Sequence, residues 1–134
     1  MSITNGTTWQ ASRAILCRDN TAHRLTFSIS NGSNYSAVTM TSEITLNIWH
    51  HIVCTYNGEQ LKIYIDGILN NSANTTLSIV YAGSFNIGAW TNSNSYPLNG
   101  KINDVRVYNE CLSAKEVKEL SKGLVVHYML NEAY

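Results

Sequence analysis

The stretch Trp49-His50-His51-Ile52-Val53-Cys54-Thr55-Tyr56-Asn57-Gly58-Glu59-Gln60-Leu61-Lys62-Ile63-Tyr64-Ile65-Asp66-Gly67 constrains the fold more than any other part of this chain. Apolar and aromatic residues alternate on both sides of Asn57-Gly58, the period of a strand with one buried face. Asn-Gly suits backbone positions of positive φ, where most side chains clash. The segment predicts two β-strands joined by a tight Asn57-Gly58 turn and stopped by an Asp66-Gly67 turn.

Short alternating runs recur on either side of it. Ala14–Cys17 and Arg24–Ser30 read as strands, the second placing Leu25, Phe27 and Ile29 on one face. Asn31-Gly32 then marks a turn. Tyr35–Met40, Glu43–Leu46, Leu77–Val80, Ser84–Gly88, Lys101–Tyr108 and Leu124–Leu130 read as further strands. Strands at this spacing, separated by Gly and Asn turns, predict an all-β sandwich. One helix interrupts them. Ser113 is its N-cap, Glu116 completes a capping box, Leu112, Val117 and Leu120 form its apolar stripe, and Gly123 ends it. The helix is expected to pack on an edge of the sandwich.

The chain has 134 residues, enough for one core and not for two. Only 13% of residues are charged, about half the usual ~25%, and Asn, Ser and Thr supply the missing polarity. Those residues compete with helical hydrogen bonds and suit sheet surfaces and polar loops. The formal net charge is zero and no basic block occurs, so there is no electrostatic footprint for nucleic acid. No apolar run approaches the ~20 residues that span a bilayer as a helix, so membrane insertion is not expected. Met1–Gly6 has neither the basic nor the apolar segment of a signal peptide.

Cys17, Cys54 and Cys111 are odd in number and widely spaced, which fits neither a disulfide framework nor a zinc site. All three read as structural, Cys54 as a small core hydrophobe. Five Asn-x-Ser/Thr sequons, at Asn5, Asn31, Asn34, Asn70 and Asn74, follow from the abundance of those residues. His50 and His51 are adjacent, so in a strand they point to opposite faces and cannot chelate one metal together. His23 and His127 have no ligand partners nearby in sequence. Trp49 and His51 are expected to pack structurally, Trp49 in the core. Trp90 differs, because it opens the polar stretch that ends at Pro97. Aromatic rings stack on the apolar faces of sugars and amides hydrogen-bond their hydroxyls. Trp90, Asn92, Asn94 and Tyr96 are therefore the candidate ligand-binding residues, the alternative being that both rings merely cap the sandwich. Trp9, Arg18, Asp19 and His23 form a weaker second cluster, with Arg18-Asp19-Asn20 read as a turn.

Three motifs together resemble the concanavalin A-like lectin/glucanase superfamily in its laminin G-like jelly-roll branch. They are Trp49–Val53 with Tyr56-Asn57-Gly58 and Leu61–Gly67; Phe85-Asn86-Ile87-Gly88; and Leu98–Asn109 followed by Leu112–Val117. The resemblance covers roughly residues 45–123 and implies two curved antiparallel sheets packed face to face, with a ligand groove on the concave one. Members usually open with a strand resembling Gly-Leu-Val-x-His-Tyr-x-Leu-Asn. Here those words stand at the other end, as Gly123–Asn131. Residues 1–123 are thus expected to form the jelly-roll domain. Residues 124–134 would be an extra strand that begins a next repeat, or a permuted first strand. Either arrangement leaves a sheet edge to be filled in cis or by another chain, so a homo-oligomer formed by strand exchange or edge pairing is expected. The segment's wording also resembles modules of bacterial and bacteriophage surface proteins, which suggests a cell-surface or virion location.

Many relatives carry an acid where this chain has Asn103, beside Asp104. Calcium sites need several hard oxygens, often charged, so neither calcium nor another cofactor or metal is expected. Glucanases of the superfamily carry Glu-x-Asp-x-Glu on a strand, because two carboxyl groups ~5–5.5 Å apart must flank the scissile bond in a retaining enzyme. No such triplet occurs. Glu116 and Glu119 have helical spacing, while Glu43 and Glu59 stand alone. No catalytic residue is assigned. The expectation is a non-catalytic, lectin-like module whose partner is a glycan. The alternative is a structural or assembly module, a virion decoration or spacer without sugar binding.

Overall fold

The computed structural model describes residues 2–4, 12–18, 23–79, 84–88 and 98–123. Eight strands and one helix occur among them: β1 (Ser2–Thr4), β2 (Ser12–Arg18), β3 (Leu25–Asn31), β4 (Tyr35–Thr39), β5 (Ile52–Tyr56), β6 (Gln60–Ile65), β7 (Ile68–Asn74), β8 (Ser84–Asn86) and α1 (Ala114–Ser121). They form two antiparallel sheets, one in the order β4-β3-β2-β1-β8 and the other β5-β6-β7. This is the all-β jelly-roll sandwich with one short helix that the sequence predicts.

The core lies between the sheets and follows from alternation. Phe27 and Ile29 of β3 and Val38 of β4 meet Leu61 and Ile63 of β6, and Met40 closes one end. Leu61 and Ile63 have no solvent exposure at all. On β6 the other face carries Tyr64, which packs with Leu112 and Val117 beneath α1. The helix therefore covers the outer face of the small sheet rather than an edge. Its first turn is held by the expected box: Ser113 N–H donates to Glu116 Oε2 (2.7 Å), and Glu116 N–H donates to Ser113 Oγ (3.3 Å).

The two turns of the central segment exchange roles. Tyr56 pairs with Leu61, so Asn57-Gly58 belongs to a four-residue connection. Only Gly58 takes positive φ (94°), while Asn57 Oδ1 accepts from the N–H groups of Glu59 and Gln60. Asp66-Gly67 is the tight two-residue turn, with φ of 51° and 81°, and Ile65 pairs directly with Ile68 across it. It leads into β7, a strand whose Asn- and Ser-rich sequence carries no apolar alternation. Between Ile63 and Tyr64 the β7 register slips by one residue, at Asn70. Asn70 Oδ1 accepts from Thr41 N–H (2.9 Å) and Asn71 Nδ2 donates to the Thr39 carbonyl (2.7 Å), so these amides tie β7 to the end of β4 in the other sheet.

Three expected strands do not form among the described residues. Glu43–Leu46 lies in the crossing between sheets, with a single ladder-like bond from Ile44 N–H to His23 O, and turns at Asn47, whose φ is 64°. Leu77–Ile79 is irregular: Leu77 and Ile79 pack on the core, and Tyr56 Oη donates to Leu77 O. Val80 lies outside the described residues. Lys101–Tyr108 joins neither sheet among the described residues, is exposed throughout, and is broken at Asp104, where φ is 54°. The expected strand Leu124–Leu130 also lies outside the described residues.

Ile63→Ala is expected to cost about 2–5 kcal/mol in denaturant unfolding, as for a fully buried side chain at a sheet–sheet contact. Gly67→Ala should cost more than Gly58→Ala. Both residues have positive φ, worth about 1–2 kcal/mol with a Cβ, but a methyl at Gly67 runs into Ser121 Oγ and stands 3.2 Å from Lys118 Cα, whereas nothing lies within 4 Å at Gly58. Equal losses would mean that α1 does not bear on the turn.

Candidate functional site

The candidate binding residues Trp90, Asn92, Asn94 and Tyr96 lie outside the described residues. Their flanks are described. Gly88 follows β8 with φ 79°, and its carbonyl accepts from Leu98 N–H at 2.7 Å. This bond forms a neck between the two described flanks of residues 89–97. Ile87 and Leu98 are exposed at this neck, and Ile102 Cδ1 stands 4.0 Å from where a Gly88 Cβ would be. Of the second cluster, Trp9 and Asp19 lie outside the described residues, Arg18 ends β2, and His23 precedes β3 with φ 46° and a half-buried side chain. Nothing in the described residues gathers that cluster into a site.

A different grouping forms where the chain enters β5. Asp66, at the tight turn, accepts His51 N–H at Oδ1 (2.8 Å), and its Oδ2 lies 2.8 Å from His50 Nδ1. The other ring nitrogen of His50 meets Thr45 O at 2.9 Å. His50 thus clamps the Leu46–Ile48 turn to the Asp66-Gly67 turn. Partial burial pushes the Asp66 carboxyl up, but the His50 and His51 hydrogen bonds and the nearby histidine charge outweigh it and hold the group below the usual aspartate range. Asp66 is therefore an ionised acceptor, unsuited to donate a proton.

The clamp holds Trp49 outward. Its exposure is 65%, against the expectation of a core residue. The cause is local: Trp49 sits after the Asn47 turn and before β5 begins, so no strand alternation directs it inward. Leu46 and Ile48 beside it are also exposed. Trp49 is the residue that sequence reasoning assigned to the wrong place. The signal that could have found it is Asn47, a turn former two residues upstream. His51 is half-buried beside the clamp, with Nδ1 unpartnered.

Several other chemistry-bearing groups are occupied elsewhere. Asp104 Oδ1 accepts from Arg106 Nε (2.8 Å), Glu116 caps α1, and Glu119 pairs with Lys122 (2.8 Å). Burial pushes the Cys54 thiol up to about 12, so it stays protonated against the core, as expected of a small hydrophobe. Cys111 is exposed, and its thiol lies 3.9 Å from Leu112 O. Among the described residues no three His, Cys, Asp or Glu side chains converge as metal ligands.

A family model described as Concanavalin A-like lectin/glucanases superfamily, of laminin G type, matches residues 2–118. The chain belongs to this superfamily. Among solved structures the chain is similar to an S-layer domain-containing protein (residues 221–444) from Clostridium thermocellum ATCC 27405. The identity is 20%, the TM-score 0.52, and the match covers 90% of this chain and 69% of that one. At that identity the likeness is one of fold. No curated protein matches the sequence.

Asp66→Asn should destabilise the fold at neutral pH. Because the folded-state pKa of Asp66 is lowered, its contribution is present above the unfolded aspartate pKa and is lost as pH falls through the folded value. The stability gap between wild type and Asp66→Asn should therefore shrink on acidification in urea titrations run across that range. A gap that does not change with pH would show that the clamp carries no charge.

Proposed function

We propose that this chain is a non-catalytic glycan-recognition module of a bacterial or phage surface protein. The observation that carries the reading is an indole, Trp49, held in solvent by a pinned turn on a sandwich of the lectin/glucanase superfamily. An exposed aromatic ring beside ionised and amide acceptors suits the mixed apolar and hydroxylated faces of a sugar. The half-exposed side chain of Asp66 bonds His50 and His51, the two residues that follow Trp49. In the sequence between Gly88 and Leu98, whose backbones are bonded, Trp90, Asn92, Asn94 and Tyr96 offer a second stacking and hydrogen-bonding set. The carboxylates engaged in the clamp, the Arg106 pair and the helix cap support a binding rather than a hydrolytic role. The zero net charge argues for neutral ligands. The S-layer designation of the similar structure supports placement at a cell surface.

The structural reading, a spacer or virion decoration, is favoured by one observation: the exposed apolar run Lys101–Tyr108, which is more suited to chain–chain contact than to sugar. A glycan array separates the two. The wild type should bind a defined set of glycans, and Trp49→Ala or Trp90→Ala should reduce that signal at least about tenfold, a loss on the order of 1.4 kcal/mol. Binding that survives both substitutions would remove the aromatic platform, and no binding to any glycan would leave the structural reading.

A further inference from the structure

We propose that the His50 clamp is a pH-sensitive latch on Trp49: it holds only while both ring nitrogens of His50 carry protons, and it frees the turn that presents the indole when one proton leaves. A count of donors carries this. His50 Nδ1 lies 2.8 Å from Asp66 Oδ2, and Nε2 lies 2.9 Å from Thr45 O. A carboxylate oxygen and a peptide carbonyl oxygen are both acceptors. A neutral imidazole has one N–H, so it serves one of these partners and turns a lone pair on the other. The imidazolium donates to both. Asp66 is not the missing donor. Its Oδ1 accepts His51 N–H at 2.8 Å. Partial burial pushes its carboxyl up, but the His50 and His51 hydrogen bonds outweigh this and keep it ionised. Water does not easily replace either partner, since the His50 side chain is only 12% exposed.

What the latch governs is local. Thr45 lies on the crossing between the sheets, the chain turns at Asn47 (φ 64°), and Trp49 follows, exposed. His50 bridges from Thr45, ahead of that turn, to Asp66 on the tight turn of the β6–β7 hairpin. When a ring nitrogen loses its proton, its lone pair faces an acceptor and that anchor is lost. The ladders of both sheets use neither group's side chain, so the sandwich stays closed. Histidine ordinarily changes charge between about pH 5 and 8. The latch is therefore held on the acid side, as long as Asp66 stays ionised, and opens as pH rises. Among the described residues, the neighbouring elements add few other charged or titratable groups. His51 follows His50, Glu43 lies two residues before Thr45, and α1 brings Lys118, whose Cα stands 3.2 Å from where a Gly67 Cβ would be. Of these, His51 acts on Asp66 as a nearby charge, and none bonds a ring nitrogen of His50. The bearing of the latch on glycan binding rests on the recognition reading above; the latch itself does not.

Nuclear magnetic resonance of the full chain, titrated across the histidine range without any glycan, tests this. The ring nitrogens of His50 report its protonation. The indole N–H signal of Trp49, identified by its loss in Trp49→Phe, reports the turn. At the acid end both His50 nitrogens should carry protons. As pH rises one proton should leave, and the Trp49 signal should shift with the same midpoint. Asp66→Asn supplies the control. An asparagine keeps an oxygen for His51 N–H and puts an amide N–H where Oδ2 stood, so it donates to Nδ1 of a neutral His50 while Nε2–H still meets Thr45 O. The coupled shift of Trp49 should then be lost across that range. The wild-type titration alone decides if that variant does not fold. A His50 that stays a single neutral tautomer from acid to base overturns the proposal. So does a Trp49 signal that stays flat while His50 titrates, or one that still moves in Asp66→Asn. The response needs no glycan, so its failure and a blank glycan array are separate results.

Discussion

The structure rests on two strands facing across a gap. β6 presents Leu61 and Ile63 to Phe27 and Ile29 of β3 and to Val38 of β4, and among the described residues this contact forms the centre of the core that the two sheets share. Each sheet alone has an apolar face that water would meet. Burying a side chain of this kind is worth about 1.5–3 kcal/mol relative to exposure, so a handful of them decides whether the sandwich closes. The alternation that puts Leu61 and Ile63 inward puts Tyr64 outward, where it becomes the seat of α1. One strand therefore supplies both layers of packing.

Among the described residues the two sheets are tied together along one flank. Where β4 and β7 approach, the Asn70 and Asn71 side chains replace a backbone ladder and tie the sheets together. At the opposite limits of the two sheets stand β5 and the short β8, and the chain beyond β8 runs exposed from Leu98 to Cys111. A turn pinned at the end of this core holds the Trp49 ring in water.

Much of this was legible in the residues. Leu25, Phe27 and Ile29 alternate without interruption, and the Ser113–Glu116 box marks the start of α1 to the residue. What escaped has physical causes. β7 is an edge strand held by side-chain amides, so its Ile-Leu-Asn-Asn-Ser-Ala-Asn sequence has no buried face to betray it. Lys101–Tyr108 has a strand's composition, but pairing depends on a partner, which composition does not report. Trp49 looked like core because it abuts a strand, yet the Asn47 turn decides its direction. The Asn57-Gly58 and Asp66-Gly67 dipeptides read alike. Only the register reveals that the second makes the tight hairpin and that its aspartate doubles as the anchor for His50. The binding residues read from the sequence, Trp90, Asn92, Asn94 and Tyr96, fall outside the described residues, and what the structure adds is the bond between their flanks, Leu98 N–H to Gly88 O.

The claim beneath all of this is that both sheets stand or fall together through β3 and β6. Native-state amide hydrogen exchange, followed by mass spectrometry, measures it directly. The slowest amides should be those of Phe27–Ser30 and Leu61–Tyr64, one set from each sheet, and both sets should open at the same denaturant concentration. Exchange that releases the β5-β6-β7 sheet well before the five-stranded one would contradict the shared core.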